Sequence, residues 1–128
     1  MEKNQYIPVM IQSLKKKSEI LDTIMELNIR QSEELENPAL DPDDFDKTVE
    51  EKSKQIEKLD LLDDGFQELF DRVKDDLKNH QDIYRDEIAQ MQDYIRKLTS
   101  KSATIQVQEA RNKDLMTKKF ASVHKQVR

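Results

Sequence analysis

Asn37-Pro38-Ala39-Leu40-Asp41-Pro42-Asp43-Asp44 decides how the chain is divided. Each proline disfavours helical geometry in the residue before it, so this stretch predicts a turn. Helix-restart chemistry follows at once. Asp41 is a good N-cap, Pro42 suits the first helical position, and Asp43 and Asp44 complement the positive end of the helix dipole. Downstream, Phe45, Val49, Ile56, Leu59, Leu62, Phe66, Leu69, Phe70, Val73 and Leu77 form a stripe at helical spacing. The stripe keeps one phase across Gly65, which predicts a kink or soft spot there rather than a turn.

Upstream, Ile7, Met10, Ile11, Leu14, Leu21, Ile24 and Met25 recur at spacings of three, four or seven. Lys15, Lys16, Lys17, Glu19, Asp22 and Glu26 fall mostly on the other side. Pro8 fits a first turn, where its missing N–H costs nothing. Asn79-His80-Gln81-Asp82 is a second turn without Gly or Pro. Beyond it, Tyr84, Ile88, Met91, Ile95, Leu98 and Ile105 make a third stripe, continued by Asn112, Met116, Phe120, Val123 and Val127. The expected helices cover about residues 8–36, 42–79 and 82–119, with 120–128 as a helical extension. Rods of this length measure on the order of 50 Å, and short connections make sequence neighbours antiparallel. The predicted fold is all-α: an up-down-up bundle of three long antiparallel helices with coiled-coil-like packing.

Composition agrees. The 128 residues amount to one ordinary domain, with 38% charged and 35% hydrophobic residues. A single Gly cannot supply the positive-φ turns of a sandwich, barrel or doubly wound sheet. A thin bundle needs only a narrow apolar seam on each helix. It also has much surface for its volume, which leaves apolar area for a second copy to cover, so a homodimer is one expected state.

Several function classes fall away. With no Cys there is no disulfide, thiolate nucleophile or cysteine zinc site, which suits a reducing cytoplasm. The N-terminus lacks a signal-peptide pattern, and no apolar run approaches the ~20 residues of a membrane span, so a cytoplasmic location without membrane attachment is expected. Residues 37–79 hold 7 Lys and Arg against 14 Asp and Glu, and the net charge of the chain is −5. That balance argues against a nucleic-acid partner, whose phosphates call for a broad basic surface. Lys118, Lys119, Lys125 and Arg128 read as a solvated basic face of the tail.

No motif carries chemistry. His80 and His124 are the only imidazoles, and a di-iron Glu-x-x-His pair fails at Leu77 and Ala121. Zinc-protease, phosphate-loop and dinucleotide motifs are absent, and Asp43, Asp44 and Asp46 lack the Gly and Glu of a calcium loop. Neither enzyme activity nor a cofactor or metal is expected.

Polar residues interrupt the seams at Asn28, Lys52, Ser102, Glu109 and Asn112. Buried polar groups can fix helix register at a cost in stability, the reading preferred for Asn28 and Lys52. Glu109 and Asn112 fit that role or mark where the seam ceases to be core. An antiparallel third helix starting near 82 exhausts the second helix near 119. Met116, Phe120, Val123 and Val127 nevertheless keep helical spacing beyond or close to that point. Such a stripe frays, folds back, pairs with another copy or awaits a partner.

The chain resembles the FlgN-type flagellar export chaperones. The resemblance lies in Val49-Glu50-Glu51-Lys52-Ser53-Lys54-Gln55-Ile56-Glu57-Lys58-Leu59 of the middle helix, in Leu14, Leu21, Ile24 and Leu27 of the first, and in Gln108-Glu109-Ala110-Arg111-Asn112-Lys113-Asp114-Leu115 of the last. It implies a cytoplasmic protein that escorts hook–filament junction proteins to the flagellar secretion machinery. It also implies capture of their amphipathic terminal helix by the C-terminal helix, on Ile105, Asn112, Leu115, Met116, Phe120 and Val123. The competing expectation is a dimeric coiled-coil structural or adaptor protein with no client.

Overall fold

The computed structural model describes the backbone of residues 3–127 and the side chains of residues 5–121. Three α-helices follow one another: α1 (Lys3–Glu36), α2 (Pro42–Asn79) and α3 (Arg85–Val127). The described residues contain no strand.

The first connection follows its turn chemistry. Asn37 Oδ1 accepts from the Ala39 N–H at 2.9 Å, which turns the chain. Asp41, in extended geometry, caps α2 by accepting the Asp43 N–H at 2.9 Å. At the second connection the His80 carbonyl accepts from the Ile83 and Tyr84 N–H groups, and Asp86 and Glu87 lie in the first turn of α3. α3 therefore begins at Arg85 rather than near 82. α1 begins at Lys3 rather than near 8, which puts Pro8 inside the helix. α2 runs through Gly65 without a break, and a Cβ added there would meet nothing within 4 Å.

α1 is the spine. α2 and α3 each pack along it and scarcely touch one another. α2 is antiparallel to α1, as Lys17–Asp63 and Arg30–Glu51 show, and α3 is parallel to it, as Ser18–Lys101 and Asn37–Lys119 show. α1 thus supplies Ile7, Met10, Leu14, Leu21 and Ile24 to a core completed by Val73 and Leu77 from α2 and Met91 and Leu98 from α3.

That apolar core occupies one half of the molecule. Toward the α1–α2 connection Leu27 and Leu35 are still buried, but polar residues take many of the inward positions: Asn28 and Gln31 on α1, Thr48 and Lys52 on α2, Gln108 and Asn112 on α3. The inward stripe of α2 here differs from the sequence expectation. Val49 and Ile56 are 39% and 43% exposed, whereas Thr48 is buried and Lys52 and Gln55 are half-buried. Alternating steps of three and four, carried back from Leu59, arrive at Gln55, Lys52 and Thr48. The neighbouring aliphatic residues fall one position off that seam.

Candidate partner-binding site

The C-terminal half of α3 is fastened to α1 by a ladder of polar contacts. Lys101 Nζ donates to Ser18 Oγ at 2.7 Å and pairs with Asp22 at 2.8 Å. Gln108 Nε2 donates to the Met25 carbonyl, and Asn112 Nδ2 to the Asn28 carbonyl at 2.9 Å. Gln31 Oε1 accepts from both Asn112 Nδ2 and Lys52 Nζ, at 3.3 Å each, and Lys52 also pairs with Glu109. Arg111 reaches Glu36 at 2.8 Å. The last rung among the described residues is Lys119 Nζ, which donates to the Asn37 carbonyl at 2.9 Å, just past the end of α1.

α3 does not stop with its support. From Lys119 to Val127 it continues for eight residues, about 12 Å at 1.5 Å per residue. The helix that runs out is α1, not α2 as the antiparallel expectation held, because α3 lies along α1. Both helices happen to end their shelter at the same part of α3.

The six residues singled out from the sequence divide accordingly. Ile105, Asn112 and Leu115 follow the inward stripe. Ile105 packs half-buried against the core, Asn112 is 3% exposed and Leu115 is half-buried. Met116 is half-buried one position off that stripe, and Phe120, four residues on, is 63% exposed. Val123, like Val127 and His124, lies outside the residues whose side chains are described. Of the five whose side chains are described, Phe120 is the exposed one, Met116 is half-buried, and Asn112 ties the helix to α1.

A family model described as FlgN protein matches residues 1–128, the whole chain. The chain belongs to the FlgN family. FlgN proteins are flagellar export chaperones, and in that general sense so is this one; the family is not one of enzymes. No curated protein and no solved structure matches the chain. In this FlgN protein α2 and α3 both pack on α1, an all-helical architecture.

Among the described residues no helix is long and apolar enough to cross a membrane. No group of three or more His, Cys, Asp or Glu among them could hold a metal ion. His80 caps α2 through its N–H to the Asp76 carbonyl at 3.0 Å. Asp76 also accepts from the Tyr84 hydroxyl at 2.7 Å, and that bond raises the phenol above its ordinary value.

A second surface escaped the sequence reading. Phe66, Phe70 and Ile95 belong to apolar stripes and were expected in the core. Phe70 and Ile95 are instead 38% and 48% exposed and, with Phe66, face a groove between α2 and α3. Helical spacing reveals that a face is apolar but not whether two such faces meet.

Proposed function

We propose that the protein binds a hook–filament junction protein in the cytoplasm before export, covering the client's amphipathic terminal helix with the free end of α3. Met116, Phe120 and Val123 form the contact stripe; Leu115 borders it, and Ile105 and Asn112 seat it on α1. The observation that carries this reading is Phe120, 63% exposed immediately after Lys119, the last tie between α3 and the rest of the molecule among the described residues. An apolar stripe beyond its own support suits an incoming helix in a helix-in-groove contact, and Met and Phe adapt to varied partners. A client segment that folds on binding loses affinity to ordering, which suits a partner that must later be released.

The test is titration of the labelled C-terminal helix of a hook–filament junction protein with the parent chain, Phe120→Asp and Met116→Asp. Both variants should lose the client while melting close to the parent. A fall of about ten degrees or more in melting temperature would place the segment in the core instead, since that corresponds to a loss of several kcal/mol in a chain of this size. A tight dimer that becomes monomeric when residues 117–128 are removed would favour self-assembly over client capture.

A further inference from the structure

We propose that the groove between α2 and α3 is a docking site for a partner protein's amphipathic helix with acidic flanks, separate from the free end of α3. Two hollows of about 480 and 790 Å³ adjoin at Phe66 and Ile95, which line both, and together they make up the groove. Its floor includes Leu14 of α1, and it exists because α2 and α3 both pack on α1 without closing on each other. A fourth helix laid there would complete a four-helix bundle.

The walls fit a helix. On α2, Phe66 and Phe70 stack with ring centroids 6.3 Å apart and planes within 8°, giving a firm apolar side. On α3, Thr99, Ser102 and Ala103 give a low, uncharged side on which another backbone can approach closely. Along α2 the groove extends from Leu62 to Lys78, sixteen residues or about 24 Å, the length of a helix of four to five turns.

Charge selects the occupant. The chain is acidic, yet Asp64, Glu68, Asp71 and Asp75 of α2 stay off the groove, and Asp63, which lines its narrow end, is paired there with Lys17. Its wide end carries Lys74, Lys78 and Arg85 against the single carboxylate of Asp82. Lys74 and Arg85 reach Asp71 and Asp82 only at 3.9 and 3.8 Å. Lys78 is unpaired among the described residues, and Lys74 and Arg85 can exchange these long, exposed pairs for carboxylates of an incoming helix. The chain's own C-terminal segment is a poor occupant. It leaves from the opposite end of the rigid α3 rod, and Lys118 and Lys119 would meet like charge.

The experiment uses two synthetic 18-residue helical peptides with the same leucine seam, one flanked by Glu and one by Lys, titrated against the full chain by fluorescence anisotropy. The Glu peptide should bind at least about ten-fold more tightly than the Lys peptide at low salt. The double variant Lys74→Glu/Lys78→Glu should reverse that preference. Ala103→Trp, which fills the trough from an exposed position, should abolish binding of the Glu peptide, as should the uncharged obstruction Thr99→Tyr if the Trp variant folds poorly. Phe120→Asp should leave the Glu peptide bound, so failure at the free end of α3 and failure here are distinguishable. Absence of Glu-peptide binding, or binding indifferent to the charge reversal or to both obstructing variants, would overturn the proposal. So would sedimentation showing that the parent is a dimer and Ala103→Trp a monomer, because a second copy would then be the occupant.

Discussion

Asn112 on α3 donates from Nδ2 to the main-chain carbonyl of Asn28 on α1, at 2.9 Å, and both side chains are almost fully buried. Asn112 Nδ2 also donates to Gln31 Oε1 at 3.3 Å, and it is this pairing with a particular side chain that fixes the axial position of α3 along α1. Asn28 Nδ2 in turn donates to Gln108 Oε1 at 3.2 Å. The two asparagine Oδ1 atoms have no hydrogen-bond partner within the protein. A polar seam with unmade bonds contributes less stability than the apolar half beside it, yet it excludes other registers because every alternative strands more polar groups. Helix register here determines how far α3 projects beyond α1, which links the buried amides to the presentation of Phe120.

Replacing Asn112 with Ala removes the donor to Asn28 and Gln31 and leaves a small void. Urea unfolding should show a loss of about 1–3 kcal/mol, the usual cost of breaking buried hydrogen bonds. The Asn28→Leu/Asn112→Leu pair should behave differently. It replaces polar groups by apolar ones of similar size and should keep or raise stability while broadening amide NMR spectra through sliding of α3. Sharp spectra from the double variant would remove the register argument.

What a truncation costs follows burial, not hydrophobicity alone. Met10 is 0% exposed among Ile7, Leu14 and the α2 and α3 core residues, so Met10→Ala should cost about 2–5 kcal/mol in chemical denaturation. Leu61 is 73% exposed beside Ile20 and Thr23 of α1, and Leu61→Ala should stay within about 0.5 kcal/mol of the parent. Equal losses from the two would mean that Leu61 is covered in solution, by a second copy or a partner.

The turn at Asn37–Pro42 was legible because its chemistry is local. Asp41 and Pro42 act within one turn of the backbone, and the N-cap bond to Asp43 forms whatever α2 packs against. The apolar half of the core was legible because Leu14, Leu21, Ile24, Val73 and Leu98 repeat the seam spacing in grease. The polar half was not. Val49 and Ile56 draw the eye to a face one step from the true seam, and Thr48, Lys52 and Gln55 lack the signature of core residues. Strict three–four stepping back from Leu59 is the signal that could have found them. At the candidate site, the exposure of Phe120 follows from its spacing, but the depth of Asn112 required knowing that α3 lies along α1. The same missing pairing hid the groove at Phe66 and Ile95.

Gly65 sits in mid-helix with open space where a side chain would stand and with no positive φ. Gly65→Ala lowers the conformational entropy of the unfolded chain without a clash in the folded one. It should stabilise by up to about 1 kcal/mol, a rise of roughly 3–6 °C in melting temperature for a chain of this size. A fall in melting temperature would show that α2 bends at Gly65 in solution and that the bend matters to its packing.

Tyr84 joins the start of α3 to the end of α2 by donating its hydroxyl proton to Asp76 at 2.7 Å. The phenol's ordinary value is 10.0, and the hydrogen bond to Asp76, with burial and the Asp76 charge behind it, raises that value in the folded protein. A proton held more tightly by the folded state stabilises it fully below the unfolded value. That stabilisation is lost as pH rises through the folded one. Tyr84→Phe should therefore melt below the parent at pH 8, and the gap should close as pH is raised past 10 and the parent's tyrosinate loses its donor and repels Asp76. Deprotonation of lysines affects both proteins alike, so the difference between their melting curves isolates Tyr84. A gap that stays constant from pH 8 to pH 11 would mean that packing of the ring, not the proton it donates, secures the α2–α3 connection.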